Sequence, residues 1–331
     1  MNINFLMNQA TFLRYYVPLA AEAKKRGHTV NFFLGSIKKY CDPYLKNNKE
    51  NITQICSYFN FNIYDIHECH KFDGISFVIE GNCTKYADRN KQKLISLTSM
   101  NDSYSRYNGP DAYYVNEVDH VIFPSKSLAK QSNSISEKNL YLGSPKYDVL
   151  LDKSGILKQY RLDENDKYAL VLYPKLRDLR KINIDKIYNY LHKLGYKILV
   201  KTRAKNPVLN PNHKGDYYFH DVSWFPSTTM ELLEVSDIAI NFSSTAIKEY
   251  VLCKTPVINF DIKPFNLIYD FLYNYDYAIQ LKPDADFELF KNSVAELTTK
   301  DLENEFNLAI KDHLFERGNT SKKICDVLNI F

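Results

Sequence analysis

The chain has 331 residues with nearly balanced charge, 43 Lys and Arg against 39 Asp and Glu, which gives a net charge of +4. This length allows two domains of ordinary size, and the small positive charge permits an anionic ligand but argues against a nucleic-acid-binding protein. The six cysteines are scattered without a CxxC pair, which favours reduced thiols in a cytoplasmic protein. We find no apolar run of the roughly 20 residues that a membrane-spanning helix needs, and no secretory signal at the N-terminus.

The N-terminal half begins with the pattern of a βαβ unit. Residues 3–7 form a short apolar strand, residues 12–26 an amphipathic helix that Gly27 ends, and residues 29–34 the next strand. Such a unit predicts a parallel sheet with a right-handed crossover. More short apolar strands follow at the spacing of α/β proteins, at residues 62–66, 75–79, 94–97, 121–123 and 140–142.

Two histidines follow the predicted strand at residues 62–66. His67 and His70, in the run H-E-C-H, are three residues apart, and no third ligand is evident in the sequence. Zinc sites in proteins use three or four protein ligands. The pattern therefore leaves two interpretations, a metal-binding pair or a loop at the end of a strand, and it favours the loop.

A polar, irregular segment at residues 148–166 separates two halves of similar size. We therefore predict two domains, residues 1–155 and residues 156–331, with the last helix packing back on the first domain. The second half alternates strands and helices again, with strands at 168–173 and 197–200, an edge strand at 217–219, and helices at 184–194, 228–235, 264–275, 287–297, 301–313 and 318–329. The fold class expected is α/β, with two doubly wound Rossmann-like domains facing across a cleft. Ligands of such sheets bind outside the carboxyl ends of the strands.

The segment 235–263 has the pattern of a strand, a sharp turn, a helix and a second strand. Ser243, Ser244 and Thr245 stand between the first strand and the helix, and these are residue types that cap helices. Backbone N–H groups and the helix dipole at such a point attract anions. The segment is therefore either an anion-binding turn or an ordinary βαβ unit with a serine cap.

Cationic residues follow other strands of the second half. Lys175 comes after the first strand, and Lys201 and Arg203 come after the second. Because parallel strands end at one edge of a sheet, these cations would gather beside the serines and could bind a diphosphate. Glu249 could reach ribose hydroxyls from the helix. The alternatives are ordinary surface loops and a solvated helix face.

The first half contains no G-x-S-x-G, P-loop or G-x-G-x-x-G motif. Glu80 and Asp102 follow predicted strands, and either carboxylate could remove the proton from an acceptor hydroxyl within hydrogen-bond reach. Arg14, at the start of the first helix, would lie at the same edge of the sheet. Each acidic residue could equally be a cap or a surface charge.

Four segments resemble glycosyltransferases of the GT-B type that act in bacterial surface-carbohydrate biosynthesis. The C-terminal half is similar to CDP-glycerol glycerophosphotransferases and related polysaccharide transferases. The segments are P-L-A through R-G-H-T-V at 18–30, F-P-S with G-S-P-K-Y-D at 123–148, S-D through S-S to K-T-P-V-I at 236–258, and G-N-T-S at 318–321.

The resemblance implies a GT-B fold with the donor nucleotide in the C-terminal domain and the acceptor in the N-terminal one. It implies that Ser243, Ser244 and Thr245 hold the donor phosphates and that Glu249 holds the ribose. It also implies no metal and no cofactor, the donor being a substrate of UDP, CDP or CMP type. The glycerophosphotransferases carry an H-G and an H-P pair that are absent here, where the matching places read S-M-N-D at 99–102 and K-T-R at 201–203. The missing histidines favour a sugar transferase and leave the base unassigned.

The resulting hypothesis is a metal-independent glycosyltransferase that moves a sugar from a nucleotide-activated donor to a hydroxyl of a polysaccharide or glycolipid. The cytoplasm is the expected location, with peripheral membrane association at its inner face left open. Three alternatives remain: a CDP-polyol phosphotransferase, a non-catalytic GT-B binding subunit, and a nucleotide-sugar 2-epimerase. The epimerase is less favoured because M-N-Q-A-T-F-L-R stands where that family has G-T-R-P-E.

Overall fold

The structure is a computed structural model that describes residues 1–35, 48–98, 117–131, 135–174, 176–202, 215–219, 228–262, 270–313 and 317–330. Its contacts divide the chain into two compact units. The first unit comprises residues 1–149, 223–225 and 312–331, and the second comprises residues 150–222 and 226–311. The last 20 residues therefore belong with the N-terminal part of the chain.

The first unit contains a seven-stranded, wholly parallel sheet in the order β3-β2-β1-β4-β5-β6-β7. Its central strands are largely apolar and buried, as parallel strands covered by helices are, while the edge strands β3 and β7 are partly exposed. The strands are β1 (Asn2–Met7), β2 (Thr29–Leu34), β3 (Asn62–Asp65), β4 (Gly74–Ile79), β5 (Gln92–Leu97), β6 (His120–Phe123) and β7 (Asn139–Tyr141). Among the described residues before 149, the α-helices are α1 (Leu13–Lys25), α2 (Asn48–Tyr58) and α3 (Lys126–Gln131).

A chain of hydrogen-bonded polar side chains crosses five of these strands, and all of its members except Asn62 on the edge strand β3 are buried. Asn62 donates to Asn31 (3.0 Å), Asn31 to Asn4 (3.0 Å), Asn4 to Ser76 (3.2 Å) and Ser76 to Gln92 (2.8 Å). Each bond joins neighbouring strands, and Asn31 lies directly opposite both Asn4 and Asn62 in the parallel register. Because buried polar groups need partners, this chain fixes how the five strands align.

The H-E-C-H run directly follows the end of β3. Residues Ile66–Lys71 form a 3₁₀ helix with a capping box, in which Asp65 accepts from the His67 N–H (2.9 Å) and Glu68 accepts from the Asp65 N–H (3.4 Å). The run therefore lies in a 3₁₀ helix at the end of the strand, where a loop was predicted. Over the described parts of the chain, no group of three His, Cys, Asp or Glu is placed to hold a metal ion.

The final helix, α10 (Thr320–Val327), is anchored in the first unit by a carboxylate far away in sequence. Asp148 accepts hydrogen bonds from the backbone N–H groups of Thr320 (3.0 Å) and Ser321 (2.5 Å). At the other end of α10, the Arg26 guanidinium pairs with Asp326 (2.8 Å) and donates to the carbonyl of Ile330 (2.9 Å). The G-S-P-K-Y-D and G-N-T-S segments therefore meet at one helix cap.

The second unit contains a six-stranded parallel sheet in the order β10-β9-β8-β11-β12-β13. Together the two sheets confirm the predicted α/β class with two doubly wound domains. The strands are β8 (Lys167–Leu172), β9 (Tyr196–Lys201), β10 (Tyr217–Phe219), β11 (Ile238–Asn241), β12 (Val257–Phe260) and β13 (Ala278–Leu281). The helices between residues 150 and 313 are α4 (Lys153–Tyr160), α5 (Ile184–Lys193), α6 (Thr228–Glu234), α7 (Ile247–Leu252), α8 (Phe287–Thr299) and α9 (Glu303–His313).

Two local predictions differ from the structure. The helix expected at 264–275 is a short 3₁₀ turn, Asp270–Tyr273, in the part of that range that the structure describes. The edge strand β13 follows it and was not predicted, because A-I-Q-L is short and carries a polar residue. The described helices include none long and apolar enough to cross a membrane.

Candidate functional site

The turn after β11 lies at the switch point of the second sheet. β8, β9 and β10 follow one another toward one edge of the sheet, and β11 then pairs with the other side of β8. In doubly wound sheets the loops on either side of such a reversal diverge and leave a crevice at the carboxyl ends of the strands. Ser243, Ser244 and Thr245, predicted as an anion-binding turn, follow the carboxyl end of β11 at this point.

Ser243 is buried and its polar groups are bonded to the neighbouring strand. Its backbone is left-handed, with φ +48°, and its N–H donates to the Asn259 side chain at 2.8 Å. Its hydroxyl accepts from the Ile262 N–H (3.3 Å) and lies 3.5 Å from the Asp261 carboxylate. Ser243 therefore shapes the turn and ties it to the end of β12.

Ser244 and Thr245 are partly exposed and differ from Ser243 in their bonding. The Ser244 carbonyl accepts from the Tyr273 hydroxyl (3.3 Å), from the Asn241 amide (3.4 Å) and, more weakly, from the Ile247 N–H (3.5 Å). The backbone N–H groups of Ser244 and Thr245 donate to no residue among those that the structure describes. At the switch point these two amide donors therefore face no acceptor in the part of the chain that the structure describes.

The helix after the turn begins later than predicted. α7 starts at Ile247, its N-cap residue Ala246 has no capping side chain, and all six of its residues are buried. The serines thus lie in the turn before the helix and do not cap it, which corrects the predicted hydroxyl-capped helix start. The cause is the left-handed Ser243, which Asn259 holds in place, so that the chain needs further residues before it becomes helical.

A buried hydrogen-bond network supports the turn from below. The Tyr250 hydroxyl donates to the Asn241 carbonyl oxygen (3.1 Å), and the Asn241 amide donates to Asn259 (3.0 Å) and to the Tyr273 oxygen (2.6 Å). Burial, reinforced by the neighbouring Tyr273 and Glu249, raises the pKa of Tyr250 well above its ordinary value. Tyr250 therefore remains a hydrogen-bond donor at neutral pH.

These network residues were not recognised from the sequence. The available signal was an asparagine inside each of two otherwise apolar strands, I-A-I-N and V-I-N-F. Asn241 and Asn259 are directly opposite in the parallel register of β11 and β12. A polar residue in a buried strand requires a partner, but the sequence does not say which residue supplies it.

Glu249, the predicted ribose ligand, lies on α7 and is buried together with its neighbour Lys248. The alternative of a solvated helix face is therefore wrong for this stretch. The assignment of Glu249 to a ribose stays a prediction. Carboxylates and ammonium groups are costly to bury and usually serve a specific interaction.

Of the cations expected at this edge, the structure describes Lys201. It is the last residue of β9, is buried, and donates to the carbonyl of Thr202 at 2.9 Å. Lys175 and Arg203 lie outside the described residues. Lys181, which the sequence pattern did not single out, donates to the carbonyl of Ile262 (3.0 Å), the residue whose N–H holds Ser243.

In the first unit, the predicted residues flank the corresponding switch point, between β1 and β4. Arg14 is in the first turn of α1, and its guanidinium donates to the carbonyl of Thr11 (3.1 Å). Glu80 follows β4 in a left-handed conformation, with φ +52°, and its N–H donates to Leu97 (3.0 Å). Such backbone strain in a residue other than glycine is enriched at functional sites. Asp102 lies outside the described residues.

Comparison with solved structures places the architecture among known folds. UDP-GlcNAc 2-epimerase from Neisseria meningitidis, bound to UDP-GlcNAc, superimposes with a TM-score of 0.69 over 99% of this chain and 100% of its own, at 14% identity. The fold is of the GT-B type. The wall teichoic acid polymerase TagF has the same GT-B architecture, with a TM-score of 0.61 over 99% of this chain and 88% of its own, at 15% identity.

A third structure with this GT-B fold is the glycotransferase of kitacinnamycin, which has a TM-score of 0.63 over 99% of this chain and 98% of its own, at 11% identity. No protein-family model matches the chain, and a search of curated proteins gives no match. Identities this low establish a shared fold, while the chemistry must be argued from the residues of this chain.

Proposed function

We propose that the protein is an enzyme that binds a nucleotide-activated donor at the turn after β11 and transfers the donor's sugar to an acceptor hydroxyl. The observation that carries this proposal is a pair of amide donors at the switch point of the second sheet, the Ser244 and Thr245 N–H groups, which bond none of the described residues. Phosphate oxygens are the natural acceptors for backbone amides in such a turn. The GT-B structures compared above include one bound to UDP-GlcNAc.

In this proposal the donor diphosphate lies against the Ser244–Thr245 turn, with the Ser244 hydroxyl as a further donor. Ser243 contributes by shaping the turn, and Glu249 binds the ribose. Lys201, with Lys175 and Arg203, balances the charge of the phosphates. Charge that develops on a leaving phosphate is stabilised by donors that are already oriented, because they need no reorganisation during the reaction.

The proposed chemistry is a displacement at the anomeric carbon of the sugar. The acceptor oxygen forms a bond to that carbon while the bond from the carbon to the phosphate oxygen breaks, and the nucleoside diphosphate leaves with the electron pair. The acceptor proton passes to a carboxylate of the first unit, Glu80 or Asp102, and Arg14 assists acceptor binding. A carboxylate acting in this way contributes roughly 10²- to 10⁴-fold to the rate.

Nucleotide binding is tested by titration calorimetry with UDP, CDP and CMP. A hydrogen bond from the Ser244 hydroxyl to a charged phosphate contributes about 1.5–3 kcal/mol, so we expect Ser244→Ala to weaken binding by about tenfold or more. Ser236→Ala is the matched control, because Ser236 lies at the opposite end of β11 and bonds the Leu232 carbonyl. The proposal is overturned if no nucleotide binds, or if both variants bind as tightly as the wild type.

A second candidate function is nucleotide-sugar 2-epimerisation. The full-length likeness to the Neisseria meningitidis enzyme favours it. The products separate the alternatives: a glycosyltransferase releases a nucleoside diphosphate only with an acceptor, and an epimerase converts UDP-GlcNAc to its C2 epimer without one. A CDP-polyol phosphotransferase releases CMP, and a binding subunit gives no turnover. NMR spectra of the donor, recorded with and without acceptor glycan, distinguish these outcomes.

A further inference from the structure

We propose that Tyr273 is a positioning residue that turns the Ser244–Thr245 peptide so that the Thr245 N–H points at the donor's phosphate. This inference rests on the proposed function, because it specifies how the same turn acquires its direction. Tyr273 comes from the 3₁₀ turn Asp270–Tyr273, which is remote in sequence from the residues that it bonds.

The hydrogen-bond directions in the network follow from counting its hydrogens. The Asn241 amide has two hydrogens, and its two short contacts are to the Asn259 oxygen (3.0 Å) and the Tyr273 oxygen (2.6 Å). The Tyr273 oxygen is therefore an acceptor toward Asn241. The Tyr273 hydroxyl in turn donates to the Ser244 carbonyl at 3.3 Å.

Asn259 completes the arrangement on the other side of the turn. Its side-chain oxygen accepts from both Asn241 (3.0 Å) and the Ser243 N–H (2.8 Å), which uses both of its lone pairs. Two peptide groups of the turn are thereby fixed, the one before Ser243 through its N–H and the one after Ser244 through its carbonyl. The bonded side-chain groups are buried, so water does not compete for these bonds.

The orientation of the Thr245 N–H follows from peptide geometry. In a trans peptide the carbonyl and the next N–H point in opposite directions across a plane that rotates as one piece. Because the Ser244 carbonyl is held against the buried network, the Thr245 N–H points away from it, where Thr245 is partly exposed. The Tyr273 hydroxyl, which makes the shortest of the three bonds to this carbonyl, thus helps to fix which face of the peptide a ligand meets.

The test removes this one hydroxyl and compares ligands with and without phosphate. In Tyr273→Phe the ring stays, but the Ser244 carbonyl loses the shortest of its three hydrogen bonds and keeps those from the Asn241 amide (3.4 Å) and the Ile247 N–H (3.5 Å), so the peptide is held less firmly. We expect the Kd for UDP, or for CDP if that is the nucleotide bound, to rise at least fivefold, while the Kd for the free nucleoside stays within twofold. A general loss of packing would weaken both ligands alike.

Tyr277→Phe is the matched control. Tyr277 lies four residues further along, is fully buried, and its hydroxyl has no hydrogen-bond partner among the described residues. Its ring stacks on Phe306 with centroids 4.6 Å apart. This variant loses the same atom from the same region without touching the turn, so we expect unchanged binding of both nucleotide and nucleoside.

A measurement on the wild-type protein is independent of whether Tyr273→Phe folds. With ¹⁵N-threonine labelling, the Thr245 amide resonance is expected to shift strongly downfield when UDP or CDP binds and to stay in place when the free nucleoside binds. Equal shifts with both ligands, or nucleotide binding that is unchanged in a folded Tyr273→Phe, overturn this inference alone. If the wild type binds none of UDP, CDP and CMP, both the proposed function and this inference are wrong.

Discussion

Asp148 offers a test of whether the G-S-P-K-Y-D segment is structural or catalytic. Its carboxylate accepts the N–H groups of Thr320 (3.0 Å) and Ser321 (2.5 Å), and the N-cap residue Asn319 provides no side-chain cap of its own. Thr320 and Ser321 are buried, so water would not replace the carboxylate in Asp148→Ala. Loss of a cap costs about 0.5–2 kcal/mol and a hydrogen bond to a charged group about 1.5–3 kcal/mol. We therefore expect a loss of about 2–3 kcal/mol, and a smaller loss in Asp148→Asn, which keeps one acceptor oxygen.

The assay is urea unfolding followed by circular dichroism, with hydrogen exchange of the α10 amides to locate the effect. Asp152→Ala is the control, because this exposed carboxylate bonds only Ser154 in its own turn (3.0 Å) among the described residues. We expect that control to stay within about 0.5 kcal/mol of the wild type. The structural role of Asp148 is refuted if Asp148→Ala is as stable as the wild type. If that stable variant also loses nucleotide binding, the segment has a role in the site instead.

Three further predictions concern stability. Tyr188→Phe should raise the free energy of unfolding by about 1 kcal/mol in urea titrations, because the buried Tyr188 hydroxyl has no hydrogen-bond partner among the described residues; a destabilised variant would contradict this. Arg26→Ala should speed proteolytic release of the C-terminus, since Arg26 holds Asp326 and Ile330; an unchanged rate of release would contradict this. Burial lowers the pKa of His313 below its usual 6.5. The unfolded chain therefore binds the proton first, and stability should fall as the pH drops below about 6.5, less steeply in His313→Asn.

Most strands of the two sheets could be predicted from the sequence because they are short apolar runs. Such runs are typical of buried parallel strands. The runs at 3–7 and 29–34 are nearly the observed β1 and β2. The position of the candidate site was predicted from the same pattern, since the carboxyl ends of parallel strands lie at one edge of a sheet. The switch point at that edge is evident only from the strand order in the structure. Edge strand β13 was missed because its residues are only partly buried and carry no comparable signal.

The hydrogen-bond pattern within the candidate site could not be predicted from the sequence. Ser243, Ser244 and Thr245 look equivalent as a string of hydroxyl residues, yet the structure commits Ser243 to β12 and leaves the next two amides unbonded among the described residues. Asn259 and Tyr273 make that distinction from positions well beyond the turn. Which side chains meet depends on strand register and on the return path of the chain, and neither is a property of local sequence.

The polar chain across the first sheet has a consequence for how its sequence can change. Asn31, Asn4 and Ser76, the three inner residues of this chain, each donate one hydrogen bond along it and accept another. Replacing Asn4 alone by an apolar residue therefore leaves a donor hydrogen of Asn31 and an acceptor of Ser76 without the partner that Asn4 supplies. A buried group left unbonded costs about 1–3 kcal/mol, whereas replacing both partners by apolar groups of the same shape can be nearly neutral. The effects of mutations at these polar positions therefore depend on one another. We expect substitutions there to occur in pairs that replace both partners of a hydrogen bond.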